Sequence, residues 1–310
     1  MKLMGAYYGE WLRSERLLDG QKCASAERVF IWADTDQRTL ETGRALSESL
    51  LPDCAVAVHS LGESQDDPLF NPLSTASPPP DLRIAAKSHQ DAFRTLNLIL
   101  TGDPNASRVH TLNTASTMSE NLLLEYANGF MGSDLGWGRL NALNLFEVMK
   151  LHSVYADLTR KAPAYARPRG GILLTRILAS IAQAATGTGT PDALGHVGDR
   201  LLVISGHDTN LSNLSGLLGL TWRLPGYQPD DTPPGGALVF SLWKESTGRM
   251  LVRTQYIAQT LDQMRARAVL TMKAPPASQM LDVRGCEGEA TDGSCPWPSF
   301  ERAVHQALHP

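Results

Sequence analysis

No apolar run in this chain approaches the length of a membrane span, which leaves no candidate for a helical anchor. The opening residues, Met1-Lys2-Leu3-Met4-Gly5-Ala6-Tyr7-Tyr8-Gly9-Glu10-Trp11, contain no long apolar segment of the kind a secretory leader has, so no export signal is expected. Positive charge is not in surplus. A net charge of −4 argues against a general nucleic-acid or membrane-surface binder, although a local basic pocket remains compatible with it. Cysteine is scarce: Cys23, Cys54, Cys286 and Cys295 are the four, and none lies in a CxxC knuckle for zinc. HExxH, GxSxG and the GxGxxG dinucleotide fingerprint are absent, which weakens metalloprotease, α/β-hydrolase and dehydrogenase readings. The glycines of Thr186–Thr190 follow no strand and precede no GK[ST], so they read as a loop tip and not as a phosphate loop. No internal repeat is found.

What is present centres on Ser205-Gly206-His207-Asp208-Thr209-Asn210. Leu201 to Ile204 before it read as a buried strand, and Leu211, Leu214, Leu217 and Leu218 after it fall at helical spacing. His207 and Asp208 thus stand where a strand ends and a helix begins, the edge at which open α/β sheets collect ligands. The helix start adds unpaired N–H groups that suit an anion such as phosphate. A plainer reading makes Asp208 or Thr209 the helix N-cap and His207 a spacer.

The rest of the chain supplies alternating elements. Gly5–Leu18 reads as a helix stopped by Asp19-Gly20, Arg28–Ala33 as a strand, and Gln37–Leu51 as a helix capped from Asp34-Thr35-Asp36. Arg38 lies in that helix's first turn, where a cation opposes the helix dipole. It is either a surface partner of Asp34, Asp36 or Glu41, or a ligand-binding group. Ala55–His59 is a second strand, and the Pro/Ser/Asp-rich stretch from Gly62 to Asp81 a connection. Helices follow at Ala85–Leu100, Thr114–Asn128 and Asn141–Thr159. Glu120 and His152 lie on separate ones; they either face a shared pocket or are solvated or capping groups. Ala166–Gly171 reads as a linker, Ile172–Ala185 as an amphipathic helix, Ala237–Trp243 and Met250–Tyr256 as a hairpin, and Gln259–Ala268 and Phe300–Leu308 as closing helices. Cys286 and Cys295 flank a polar loop and Cys23 and Cys54 a strand-helix unit. Either pair suits a disulfide, and four reduced thiols suit a cytosolic protein.

Longer segments then carry a resemblance. Gly206-His207-Asp208-Thr209-Asn210, Leu224-Pro225-Gly226, Thr232-Pro233-Pro234-Gly235-Gly236 and Leu238-Val239-Phe240 resemble the histidine acid phosphatases, most closely their bacterial periplasmic phytase/acid phosphatase branch. So do Ala33-Asp34-Thr35-Asp36-Gln37-Arg38-Thr39 with Thr42-Gly43, the run Asp67 to Leu73, Gly136-Trp137-Gly138-Arg139, and Gln259 to Arg265. The similarity runs from about Gly5 to the end. It implies an α/β fold: a three-layer mixed-sheet domain (residues 1–75 and 165–310) with an inserted helical domain (residues 76–164). It implies hydrolysis of a phosphomonoester, phytate or a sugar phosphate, through a phosphohistidine. Arg38 would grip phosphate oxygens, His207 would place a second imidazole on the phosphoryl group, and Asp208 would protonate the leaving oxygen and then help activate water. Thr209, Glu120 and His152 match positions near the substrate. Disulfides Cys23–Cys54 and Cys286–Cys295 suit that branch, as does a periplasmic address; an unexported chain starting at Met1 would instead stay in the cytoplasm. No metal or cofactor is implied, nor a nucleic-acid or membrane partner, and the protein is expected to act as a monomer.

The chain departs from the family at one point. None of its eight histidines lies in an Arg-His-Gly-x-Arg-x-Pro segment, which in the family carries the phosphorus-attacking histidine. The expectation is a truncated form whose first central strand is missing, inactive and poorly soluble alone. The alternative is a non-catalytic phosphate- or phosphosugar-binding remnant.

Overall fold

The structure, a computed structural model, describes residues 1–18, 22–62, 65–72, 81–286 and 293–309. The Asp19-Gly20 helix stop, Leu73, most of the Cys286–Cys295 loop and the proposed division at 75/76 lie outside the described residues. In chain order the elements are α1 (Lys2–Ser14), β1 (Val29–Ala33), α2 (Gln37–Leu50), β2 (Val58–His59), α3 (Arg83–Ser88), α4 (Gln90–Thr101), α5 (Leu112–Ala127) and α6 (Ala142–Ala156). A π-helical turn, Asp157–Lys161, leads to α7 (Pro163–Thr186), β3 (Leu201–Ser205), α8 (Asp208–Leu218), β4 (Ala237–Lys244), β5 (Met250–Ala258), α9 (Leu261–Arg265), β6 (Ala277–Leu281), β7 (Ser294–Pro296) and α10 (Trp297–Leu308).

The strands form two sheets. One is parallel in the order β2-β1-β3; the other is antiparallel, with β5 between β4 and β6 and β7 also paired to β5. Both lie between the same two helical layers. Against α7, α8 and α10, one apolar cluster gathers Trp32 and Ile204 of the first sheet with Leu238, Phe240, Leu242, Val252 and Tyr256 of the second. On the opposite face, α1 and α2 gather Val29, Ile31, Leu201 and Val203 with Val239 and Ile257. Side chains that alternate between two covering layers are what a pleated strand buried on both faces produces. The expected three layers are therefore present, but the expected mixed sheet is in two pieces. Among the described residues β3 pairs only with β1 and β4 only with β5. The apolar run Leu201–Ile204 stays half-buried throughout, as does Ala237–Trp243.

A third apolar core lies within the helices α4 to α6, around Leu96, Ile99, Leu122, Leu145, Val148 and Leu151. Two disulfides, Cys23–Cys54 and Cys286–Cys295, pair as the resemblance implied, and no described cysteine is free. Among the described residues no helix is long and apolar enough to cross a membrane.

Several expectations change. α1 begins at Lys2 and ends at Ser14, with Arg16 in a left-handed conformation beyond it. Of Ala55–His59 only Val58 and His59 pair, because only they reach β1. The long helix expected at Ala85–Leu100 is broken at His89 into α3 and α4. Ala166–Gly171 is no linker but lies inside α7, with Pro163 at its first turn, where the missing N–H costs nothing, and Pro168 in its interior. Gly170 is there for closeness: a Cβ on it would stand 2.8 Å from the Asn213 Cβ of α8. Gly216 has the same role on α8, where a Cβ would meet the Lys161 carbonyl oxygen at 2.0 Å. The π-helical turn can therefore rest directly on α8. β6 and β7 had no signal in the sequence; they are short and take their form from pairing with β5.

Two apolar strands that, among the described residues, pair on one side only are templates for further pairing. The 310-residue chain, expressed alone, is expected to self-associate. Light scattering should rise with concentration and thioflavin-type dyes should report added strand content. A cooperative, protease-resistant monomer over the same concentration range would contradict this.

Candidate functional site at the α8 N-terminus

The site is assembled by strand register. Parallel pairing sets Ala33 opposite Ser205, and Asp34 N–H donates to the Ser205 carbonyl at 3.0 Å. The residues that follow each strand, Asp34 and His207, are thereby neighbours. His207 is the N-cap residue of α8, and its backbone N–H donates to Asn210 Oδ1 at 2.8 Å. Asn210 Nδ2 in turn donates to the Phe70 carbonyl at 3.0 Å, so the loop after Asp67 is tied to the helix start. Asp67 holds that loop by accepting from Trp32 Nε1 at 2.8 Å and from Leu69 N–H at 2.9 Å.

The His207 imidazole bridges two groups. Nε2 lies 2.6 Å from Asp34 Oδ2, and Nδ1 lies 3.0 Å from a terminal nitrogen of Arg38. A guanidinium only donates, so Nδ1 accepts and Nε2 carries the proton toward Asp34. Asp34, only 1% exposed, is held by Thr35 N–H at 2.8 Å and Asn71 Nδ2 at 3.0 Å. The same Arg38 nitrogen pairs with Asp36 at 2.7 Å. The reading of Arg38 as a partner of Asp36 thus holds, and the same guanidinium faces His207. Asp34, Asp36 and His207 together present one nitrogen and two carboxylate oxygens within 4.8 Å of one another. Arg38 already bonds two of the three and brings positive charge to them.

Asp208 turns the other way, toward the helices, and pairs with Arg160 of the π-helical turn. Thr209 Oγ1 lies 3.4 Å from Asp208 Oδ1, a long contact. Burial alone would raise the Asp208 carboxyl, but the Arg160 charge and hydrogen bond, with His152 and the Thr209 backbone N–H, hold it below its ordinary value. Glu120 on α5 moves upward, through burial first and the Asp208 charge second, against Arg160 and Arg38. His152 on α6 is buried, with Nδ1 3.1 Å from Ser116 Oγ. Burial, reinforced by the Arg160 charge, holds it down to about 4. Glu120, His152 and Asp208 therefore share one electrostatic neighbourhood, centred on Arg160.

Arg160, Asp34 and Asp36 were not singled out in the sequence. Asp34 and Asp36 read locally as helix-cap residues. Yet Asp34 is the residue directly after the strand, the position that made His207 notable. Arg160 gave no signal: it sits at a helix end and reaches the site because the helix takes a π turn there.

Comparison with known proteins supplies the class. Residues 113–256 match the histidine phosphatase superfamily (branch 2). The chain is 33% identical to phytase AppA of Escherichia coli K12 over 361 aligned residues, covering 98% of this chain and 81% of the relative. It is 23% identical to a glucose-1-phosphatase of Providencia rettgeri, covering 98% and 80%. In three dimensions it superposes on Hafnia alvei phytase in complex with myo-inositol hexakis sulphate with a TM-score of 0.86 and 32% identity, covering 100% of this chain and 85% of that one. Citrobacter braakii phytase superposes with a TM-score of 0.85 and 32% identity, covering 99% and 85%. The chain belongs to the histidine phosphatase superfamily, branch 2, and has the mixed α/β fold of the phytases.

Arg160 depresses both His152 and Asp208, so Arg160→Ala should raise the titration point of each. In a carbon- and proton-detected NMR titration, His152 is expected near pH 4 in the wild type and closer to the ordinary histidine value in the variant. Unchanged midpoints would show that Arg160 does not govern these groups.

Proposed function

We propose that this chain binds phosphomonoesters at the α8 N-terminus and carries the phosphate-gripping and proton-donating half of a histidine acid phosphatase site. The observation that carries the reading is the contact of Arg38 with His207 Nδ1 at the start of α8. There a guanidinium and helix N–H groups converge, each able to stabilise phosphate oxygens, and His207, held by Asp34, seats the guanidinium. The substrate class is an inositol polyphosphate or a sugar phosphate, in line with the phytase and glucose-1-phosphatase relatives. Residues 76–164 would form an inserted helical unit over the sheet unit of residues 1–75 and 165–310, contributing Glu120, His152 and Arg160 to the rim. Two disulfides suit an oxidising compartment such as the periplasm.

In this reading hydrolysis has two steps. A histidine nitrogen attacks phosphorus, the P–O ester bond breaks, and the leaving oxygen takes a proton from Asp208. Water then attacks phosphorus, the P–N bond breaks, and Asp208 recovers the proton as free phosphate forms. Asp208 must be protonated for the first step, yet its pairing with Arg160 keeps it ionised. A bound phosphate draws Arg160 toward its own oxygens and so frees Asp208 to take up a proton. Arg38, seated by His207, holds the phosphoryl group meanwhile. No Arg-His-Gly-x-Arg-x-Pro occurs within the 310 residues, and these residues alone should bind without turnover.

Calorimetry with inorganic phosphate tests the binding, and a phosphomonoester assay at acid pH tests the turnover. Arg38→Ala and His207→Ala should each weaken phosphate binding by roughly tenfold, the scale of one charge-assisted hydrogen bond. Wild-type chain that fails to bind phosphate would sink the reading. Hydrolysis by the purified chain, abolished in His207→Ala, would overturn the expectation of binding without turnover.

A further inference from the structure

Two adjacent acids on the loop between α8 and β4 grip the segment that carries the helical side of the site. Asp231 is buried, only 5% exposed. One carboxylate oxygen lies 2.7 Å from Ser153 Oγ on α6, and the other accepts from Gln228 N–H at 2.9 Å. Gln228 Nε2 donates to the Phe146 carbonyl of α6 at 2.6 Å, a second tie to the same helix. Asp230 pairs with Lys161 at the end of the π-helical turn, and Lys161 also pairs with Asp157 at 3.3 Å. The loop is itself anchored: Trp222 N–H donates to Asp230 Oδ1 at 2.7 Å, and Trp222 Nε1 donates to the Asp231 carbonyl at 2.9 Å.

The gripped residues bracket the site. Ser153 follows His152 in sequence, and Lys161 follows Arg160. The segment from His152 to Lys161 is thus held at one end by Asp231 and at the other by Asp230. Between those ends it delivers His152 and Arg160 to Asp208. We propose that Asp231 is a positioning residue that seats this segment in its protonated form, and that loss of its proton loosens the segment and weakens the site as the medium goes from acid to neutral. The functional half of this inference rests on the phosphate-binding reading above.

The chemistry of the clamp supports the neutral form. Ser153 Oγ donates to one carboxyl oxygen and Gln228 N–H to the other, and a neutral Asp231 keeps both contacts without burying a charge. Burial pushes its carboxyl up to about 7, against the hydrogen bonds from Ser153 and Gln228; the charges of Asp230 and Asp157 add to the rise. The groups that face it are Asp230, Gln228 and Tyr227 of its own loop, Ser153 on α6, Asp157 beside Lys161 on the π-helical turn, and Tyr256 on β5. The Asp231 charge helps to raise both phenols, so neither is anionic in this range. Lys161 is already engaged by two other carboxylates. Ionised, Asp231 is a buried anion beside Asp230, with no cation of its own among the described residues.

The sign follows from linkage. A carboxyl raised in the folded state contributes stability that is fully present below its unfolded value of about 4 and is lost as pH rises through about 7. His152, held down to about 4 from 6.5, has the opposite trend over that interval. The variant Asp231→Asn isolates the clamp: its side chain has the shape and polarity to keep the contacts with Ser153 and Gln228, and it does not titrate.

The experiment compares the full chain with Asp231→Asn and Ser153→Ala between pH 5 and pH 8. It reads thermal unfolding and the affinity for myo-inositol hexakis sulphate, whose charge is constant over that range. Relative to Asp231→Asn, the wild type should lose about fivefold or more in affinity from pH 5 to pH 8, and its Tm should fall by roughly 3 °C or more. Ser153→Ala removes a hydrogen bond that favours the ionised carboxyl, so it should move the midpoint of that loss to higher pH. A wild-type to Asp231→Asn affinity ratio that is flat with pH overturns the proposal. If the hexakis sulphate binds neither protein at any pH, the phosphate-site reading has failed. The Tm difference then decides: a flat difference overturns the clamp, and a falling one supports it.

Discussion

The ion pair between Arg160 and Asp208 is the contact on which the arrangement of the site depends. It joins the helical side of the molecule to the N-terminus of α8, and both partners are mostly buried. Taking two charges out of water is costly, and the pair persists only because each satisfies the other in place. That requirement reaches outward. Arg160 reaches Asp208 because a π-helical turn rests on α8, and the turn rests there because Gly216 leaves room for the Lys161 carbonyl. Asn213 Nδ2 donates to the Arg160 carbonyl at 2.8 Å and fixes the backbone at that point.

On the other side of the same helix start, His207 is directed to the sheet and not to the helices. Asp34 Oδ2 and Arg38 take its two ring nitrogens, so ring orientation and tautomer are set before any ligand arrives. The two consecutive residues His207 and Asp208 thus face opposite ways, one to the sheet and one to the helices. Arg38 lies on the sheet side of them and Arg160 on the helical side.

The two sheets bear on this balance. Their apolar strands share the same covering layers, yet β3 and β4 each pair on one side only among the described residues. The parallel sheet positions Asp34 and His207. The antiparallel sheet packs, through Tyr256 on Trp222 at 4.1 Å between ring centroids, under the loop that grips α6. The site is therefore held by both pieces, and the helices on the two faces keep those pieces in one layer.

Much of this was legible in the sequence. Short apolar runs followed by capping residues gave β1, α2, β3 and α8 to within a residue or two, because local periodicity and turn chemistry decide those elements. The same signals placed His207, Asp208 and Arg38 at strand ends, and the longer segments carried the family. Other features depend on partners far along the chain. Asp34 becomes a partner of His207 only through the register that sets Ala33 against Ser205. β6 and β7 are strands only because β5 offers them a ladder. Ala166–Gly171 has a linker's composition but remains helical because Gly170 must lie against α8. Arg160 and Asp231, a helix-end cation and a loop acid in the sequence, owe their roles to burial against distant charges, which tertiary packing alone brings about.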